Sequence, residues 1–417
     1  MFRSLNLRRA NGPLWGVGDQ AISSAGNVLL TITVARNGTS ADFGAFSVVL
    51  ATHFILLTSS RALVSMPLMM AYGDRRRGAD EAAAGSASLA LMVGLLVAVL
   101  LVGVGLLMGG RVGHGLMIYA VICPMLLLQD SLRIALNVTR GVKATTINDS
   151  LWTFLQTVAF LPGFFGVWAI SSFTYMLLWG CTAGVAAVAA CVSLRLLPRL
   201  KAGLKYARDN IKVGPALLLE GLAASASAQI ATYVLAVVGG LSVVGHLQAT
   251  TVLFGPVNIV FMGVLFVAVP AAVRIARRDS GELVRTCLTA GAGLAVFALV
   301  ATLVAMLIPA QWGRELLGES WVGPTLILPT GLAVAANALT LGAMVGWRAV
   351  GVAKQTMFLQ LMLLPVPTVG TVCGYAVFGT IGAAYGLAIS ATVVSTVMWS
   401  RLRRHIKGGG ADRLVPT

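Results

Sequence analysis

The sequence predicts an all-α polytopic membrane protein of about twelve transmembrane helices in two six-helix halves. Three observations carry this reading. The 417 residues are 58% hydrophobic and 11% charged, where soluble domains average about 45–50% apolar and about 25% charged. Apolar runs of about 20 residues, long enough to cross a bilayer as helices, recur from end to end. They are too uniformly apolar for barrel strands, which alternate. The basic residues also fall in alternate connections between these runs.

The chain opens on a basic segment with Arg3, Arg8 and Arg9, and Pro13 suits a first helical turn, where a missing N–H costs little. The first span, 14–35, carries Asp19 and Asn27 and lacks a clear small-x-small cleavage site, so it reads as a retained helix rather than a signal peptide. A polar turn, Arg36 to Asp42, leads to the second span, 43–71, which holds Arg61. Spans at 85–108, 115–138, 149–170 and 172–195 complete an amino-terminal half, residues 1–200. The longest basic connection, RLLPRLKAGLKYARDNIKVG, contains a linker at 201–213. The carboxy-terminal half, 214–417, holds spans at 214–238, 243–273, 283–308, 324–347, 356–378 and 381–400 and a short basic tail. Pro67, Pro256 and Pro270 interrupt spans 2 and 8 and predict kinks. Pro67 and Pro270 occupy matching places, which predicts a bend in each half.

Of 30 Lys and Arg, 25 fall in the terminal segments and one set of connections, and only Arg36, Arg111 and Arg314 in the other set. Positive-inside logic then places both termini in the cytoplasm. The membrane accounts for the net charge of +16, so nucleic acid is not an expected partner. No Walker motif, metal-ligand spacing or catalytic cluster is visible, and His53, His114, His246 and His405 are scattered. The five cysteines lie in apolar segments and read as small buried hydrophobes. The chain is expected to be no enzyme and to need no cofactor or metal.

The halves echo each other. Asp19 and Glu220 each precede a Ser-rich stretch, AISSAGN and LAASASAQ. FGAF at 43–46 and VGHL at 244–247 keep the same offset. TRGVK at 139–143 echoes WRAVGVAK at 347–354. Six crossings return a chain to its starting side, so such halves are related by an axis along the membrane normal, with a transporter's site between them.

The stretch Gly18 to Leu68, with GDQAISSAGN in the first span and ADFGAF in the turn after it, resembles the multidrug/oligosaccharidyl-lipid/polysaccharide exporter superfamily. Within it the likeness is to the polysaccharide-biosynthesis flippases. That resemblance implies a V-shaped cleft between the halves. It implies alternating-access export of a polyprenyl-pyrophosphate-linked glycan for cell-surface polysaccharide, beside a polymerase or other assembly proteins. A cation-coupled drug antiporter and a non-transporting membrane scaffold of a polysaccharide-assembly complex are the alternatives. The major facilitator fold is a further one, since AYGDRRRGAD follows span 2, but its glycine spacing departs from that fold's loop motif.

Charges inside spans are costly, so they mark a protein interior or a wet cavity. At about 1.5 Å per residue, Asp19 lies roughly 8 Å from its span end, Arg133 about 9 Å, and Arg61 and Asp130 about 14 Å. Asp130 and Arg133, three apart, share a helix face. Two acids and two bases at similar depth predict mutual neutralisation. Arg61 and Arg133 are also the candidate substrate-binding residues, because guanidinium matches phosphate oxygens in a bidentate manner. Asp19, Asp130 and Glu220 are the candidate supporting or coupling acids, Glu220 for H⁺ or Na⁺ unless it pairs with Arg274 or Arg348. Asn27, Gln156, Asn258, Asn337 and Gln360 read as interhelical hydrogen-bonders. Trp152, Trp168, Trp179, Trp312, Trp321 and Trp399 read as interfacial anchors.

Overall fold

The computed structural model describes residues 7–73, 78–168, 170–276 and 279–407, and each expected span carries helix. No strand occurs among the described residues. The basic runs at Arg75–Arg77 and Arg277–Arg278 lie outside them. The chain forms two compact units. One comprises Met1–Gly38 with Ala45–Ser225, the other Thr39–Gly44 with Ala226–Thr417.

In the first unit, α1 (Leu7–Asn37) is followed by α2 (Ser40–Ser60), whose first turn, through Gly44, clusters with the second unit. The turn between them closes on Thr39: its hydroxyl accepts from Asp42 N at 3.1 Å, and its own N–H donates to Asp42 Oδ2 at 3.2 Å. That reciprocal cap satisfies two of the donors a helix start leaves free. α2 runs through a π-helical turn, Arg61–Ser65, into α3 (Met66–Tyr72). The Met66 N–H reaches back five residues to Arg61 O, and Pro67, which has no N–H to give, comes next. α4 (Ala79–Met108) and α5 (Gly110–Arg140) form a hairpin on Gly109 and Gly110, both at positive φ. Glycines bring the two backbones together: a Cβ on Gly94 would meet Pro124, and one on Gly113 would meet Gly105 O. Membrane helices associate through such small residues because lipid gives them no hydrophobic drive. α6 (Val142–Phe164) starts after Gly141, also at positive φ. α7 (Ser172–Leu194) ends on Arg195, and α8 (Leu200–Asn210) occupies the expected linker.

The second unit contains α9 (Gly214–Val238), α10 (Leu241–Val252), α11 (Gly255–Ala276), α12 (Ser280–Met306), α13 (Ala310–Leu317), α14 (Ile327–Val350), α15 (Ala353–Leu363) and α16 (Pro365–Lys407), although the first turns of α9, through Ser225, cluster with the first unit. There Gly214 packs on Leu63 and Gly221 on Thr58. The echoed glycines meet inside the second unit: Gly44 lies against Leu241 O and Gly245 against Ser40 O, so neither place has room for a Cβ.

Among the described residues, eight helices are long and apolar enough to span a membrane, and the bent pair Gly214–Ala223 and Ser225–Val238 makes a ninth. The more polar α1 and α6, and the division of α16 at Phe378–Gly379, supply the rest of the twelve. Two expectations are corrected. Span 8 breaks at Leu253–Phe254, ahead of Pro256, while Pro270 sits inside an unbroken α11. A proline in the first turn of α11 starts that helix at no cost, so Pro67 and Pro270 do not mark matching breaks. Trp179 and Trp399 are buried rather than interfacial, whereas Trp168 and Trp312 are exposed. Trp399 donates to Leu339 O at 2.9 Å, which meets the need of its N–H away from water.

Candidate functional site

The polar interior of the first unit is built on α5. Its buried stretch includes Tyr119, Gln129, Asp130 and Ser131. A carboxylate held there must find a cation or be neutralised. Asp130 finds Arg61, the first residue of the π turn. Arg61 donates from Nε to Oδ1 at 3.1 Å and to Oδ2 at 3.0 Å, and from Nη2 to Oδ1 at 2.6 Å. This is the two-pronged geometry that distinguishes arginine from lysine. The π turn has a positioning consequence. It inserts one residue into the helical repeat, and each residue turns a helix by about 100°. It therefore sets the direction of the side chains before it against those after it. Such turns recur at functional sites. Here the turn is braced from outside, because Tyr206 on α8 donates its hydroxyl proton to Val64 O at 2.9 Å.

Arg133, one turn beyond Asp130, takes a different acid. Its Nε pairs with Asp149 Oδ2 on α6. Of the four expected charges, Asp130 meets Arg61 and Arg133 meets Asp149, an acid outside the expected set. Hydropathy puts Asp149 at the start of a span, but α6 begins earlier, at Val142, and carries Asp149 two turns into the helix. The pairs differ in access. The Arg61 side chain is 42% exposed and Asp130 10%, whereas Arg133 is 18% exposed and Asp149 2%. Of these two arginines, Arg61 combines a fixed partner with the more exposed side chain. The side chain of Asp19 lies outside the described residues. Glu220 is exposed on α9 and pairs with neither Arg274 nor Arg348 among the described residues.

Two further residues belong to this interior. His53, one of the scattered histidines, is buried and shares a 2.9 Å hydrogen bond between Nδ1 and the Tyr119 hydroxyl. The edge of its ring contacts Trp179, with centroids 4.9 Å apart. Gln156 on α6 is buried, its amide oxygen placed to accept from Trp152 Nε1 and Trp179 Nε1, each at 3.1 Å. Gly26 on α1 admits this amide, since a Cβ there would collide with it. Gln156 therefore makes the interhelical hydrogen bond expected of it, through an indole expected at the membrane surface. No group of three or more potential metal ligands occurs among the described residues.

No protein-family model and no curated protein sequence matches the chain. Solved structures do. A multidrug resistance MATE family transporter of the MOP superfamily in an inward-facing conformation aligns at TM-score 0.70 and 16% identity, over 95% of this chain and 96% of that one. A mutant of the Vibrio cholerae MATE transporter VcmN aligns at TM-score 0.63 and 11% identity, over 95% and 96%. A MOP superfamily transporter from Pyrococcus furiosus, described as having a binding pocket of reversed polarity, aligns at TM-score 0.58 and 14% identity, over 96% and 95%. The chain therefore has the fold of these multi-pass membrane transporters along essentially its whole length.

Proposed function

We propose that this protein is an alternating-access membrane transporter that moves a lipid-linked oligosaccharide or polysaccharide precursor across the cytoplasmic membrane, with both termini on the cytoplasmic side. The observation that supports the cargo class is Arg61. An arginine whose guanidinium is held on one edge by Asp130 and whose side chain is 42% exposed has donors to offer a second anion. A pyrophosphate head group is such an anion, and charge-assisted bidentate contacts suit it. Arg133, packed against Asp149, serves this reading as a positioning pair rather than as a ligand.

A cation-coupled drug antiporter is the second reading, favoured by the description of fold neighbours as multidrug transporters. Flux in proteoliposomes separates the two. Labelled lipid-linked oligosaccharide should cross and a cationic drug should not. Arg61→Met and the double variant Arg61→Met with Asp130→Leu should both insert and both lose flux, with Arg61→Lys intermediate. Normal flux in a well-expressed double variant, in which no buried charge is left unpaired, would remove Arg61 from the site. Drug flux driven by an H⁺ or Na⁺ gradient would favour the antiporter.

A further inference from the structure

The helix α8 is not needed to span the membrane, yet it is built with three distinct faces. Arg195 ends α7 in the left-handed region at φ 54°, and its N–H and that of Leu196 close back on Val192 O and Cys191 O. Non-glycine residues adopt that conformation only at a cost, and here it turns the chain sharply out of α7. Arg199 N then donates to Ser88 Oγ at 2.9 Å, fixing the start of α8 on α4.

The first face is the one packed on the protein. Gly203 and Tyr206, three residues apart, are buried against α4: a Cβ on Gly203 would meet Met92 and Leu89, and Tyr206 fills the space over Gly85. α8 thus sits on the first turns of α4, the end at which that helix enters its apolar run. The second face is apolar and uncovered. Leu200, Leu204 and Ile211, four and seven residues apart, are 64%, 52% and 67% exposed, and Leu197 just before them is 72% exposed. The third face is basic. Lys201, Lys205 and Arg208, four and three residues apart, are all exposed, with Arg195, Arg199 and Lys212 flanking them. Lys205 donates to Glu81 Oε1 at 2.8 Å, and this hydrogen bond raises the ammonium above its ordinary range.

Leucines beside a row of cations are what a helix needs to lie in the plane of a membrane surface, its apolar face in the acyl boundary and its cations among head groups. A soluble anion would account for the cations and leave the leucines in water. We infer that α8 is an interfacial helix whose Lys201, Lys205 and Arg208 stripe binds anionic phospholipid head groups of the leaflet it faces.

The test uses the full-length protein in nanodiscs. Cys181 and Cys373, both exposed, are replaced by serine, and Leu204→Cys carries a bimane fluorophore. Quenching by brominated phosphatidylglycerol is compared with quenching by brominated phosphatidylcholine. Both should quench. Phosphatidylglycerol should act at a mole fraction at least about fivefold lower, since one surface cation contributes roughly fivefold to such attraction, and millimolar inorganic phosphate should not reverse it. The variant Lys201→Gln with Lys205→Gln and Arg208→Gln should equalise the two lipids without abolishing quenching. If that variant does not fold, Lys201→Gln alone should show a smaller shift in the same direction. Absence of quenching by either lipid, equal quenching in the unmodified protein, reversal by phosphate, or an undiminished preference in the charge variants would each overturn the proposal.

Discussion

The two units bury different chemistry. In the second, every buried polar side chain among the described residues is a serine or threonine, as with Thr250, Thr302, Thr371 and Ser390. Thr302 bonds to Ala298 O on its own helix, and Ser390 to Val366 O on the facing limb of α16. One of its apolar clusters is formed by Leu283, Cys287, Ala343, Trp347, Met398 and Leu402. The first unit buries Asp130, Asp149, His53, Gln129, Asn148 and Gln156 besides its hydroxyls. A hydroxyl on a helix can always return its hydrogen bond to the carbonyl one turn back. A buried carboxylate or amide has no such local recourse and needs a partner on another helix. The first unit therefore adds specific pairings, Arg61 with Asp130 and Arg133 with Asp149, to the glycine contacts that both units use, and the two should fail in different ways.

The largest expected effect tests that directly. Asp149→Leu removes the acid that pairs with Arg133 inside the first unit, and breaking a buried pair in this way costs about 3–5 kcal/mol. Adding Arg133→Met should recover most of it, because replacing both members by apolar residues is often neutral. Denaturant midpoints in detergent read both, and a double variant as unstable as the single one would mean that the pair does not act as a unit.

Next is the opposite perturbation in the second unit. The two limbs of α16 touch through glycines, Gly374 against Gly382 O and Gly386 against Gly370 O. A single added methyl in Gly382→Ala has backbone rather than a flexible side chain in its way, and overpacking of this kind costs about 1–3 kcal/mol. The same assay should show a loss, and no loss would mean that these limbs have room to part.

Gln156→Leu, nearly the same size, removes the acceptor shared by Trp152 and Trp179. Leaving buried donors unmatched costs about 1–3 kcal/mol. The intrinsic tryptophan emission should shift as the two indoles lose their partner, which Gly382→Ala should not cause. Smallest of all is Glu81→Gln. It breaks the ion pair with Lys205, but both side chains are largely exposed, at 76% and 66%, and such pairs contribute little. An unchanged midpoint is expected, and a clear drop would mean that α8 is held on α4 by charge rather than by Gly203 and Tyr206.

The class of the protein and the beat of its helices were legible in the residues alone. Twelve helices could be placed because bilayer thickness sets a length for every apolar run. The glycines of the TRG and RAVG turns were legible because only a residue without Cβ adopts positive φ freely, and Gly141 and Gly351 do so at 91° and 75°. The costly residues Arg61, Asp130 and Arg133 stood out for the same reason, since charge interrupts hydropathy wherever it lies. Partnership was another matter. Asp19, Asp130 and Asp149 were all available to either arginine, and which acid meets which cation depends on how α2, α5 and α6 rotate about their axes. Hydropathy carries no record of that rotation, and in α2 a five-residue π turn sets it. The role of His53 was hidden likewise, because its partner Tyr119 is 66 residues away on another helix. Trp179 read as a surface anchor because indoles favour membrane interfaces, yet an indole is equally content inside once its N–H is satisfied, and Gln156 satisfies it. Hydrophobicity is additive along a chain and can be read residue by residue. Hydrogen-bond and ion-pair choice is a contest among groups distant in sequence, and only the packed helices decide it.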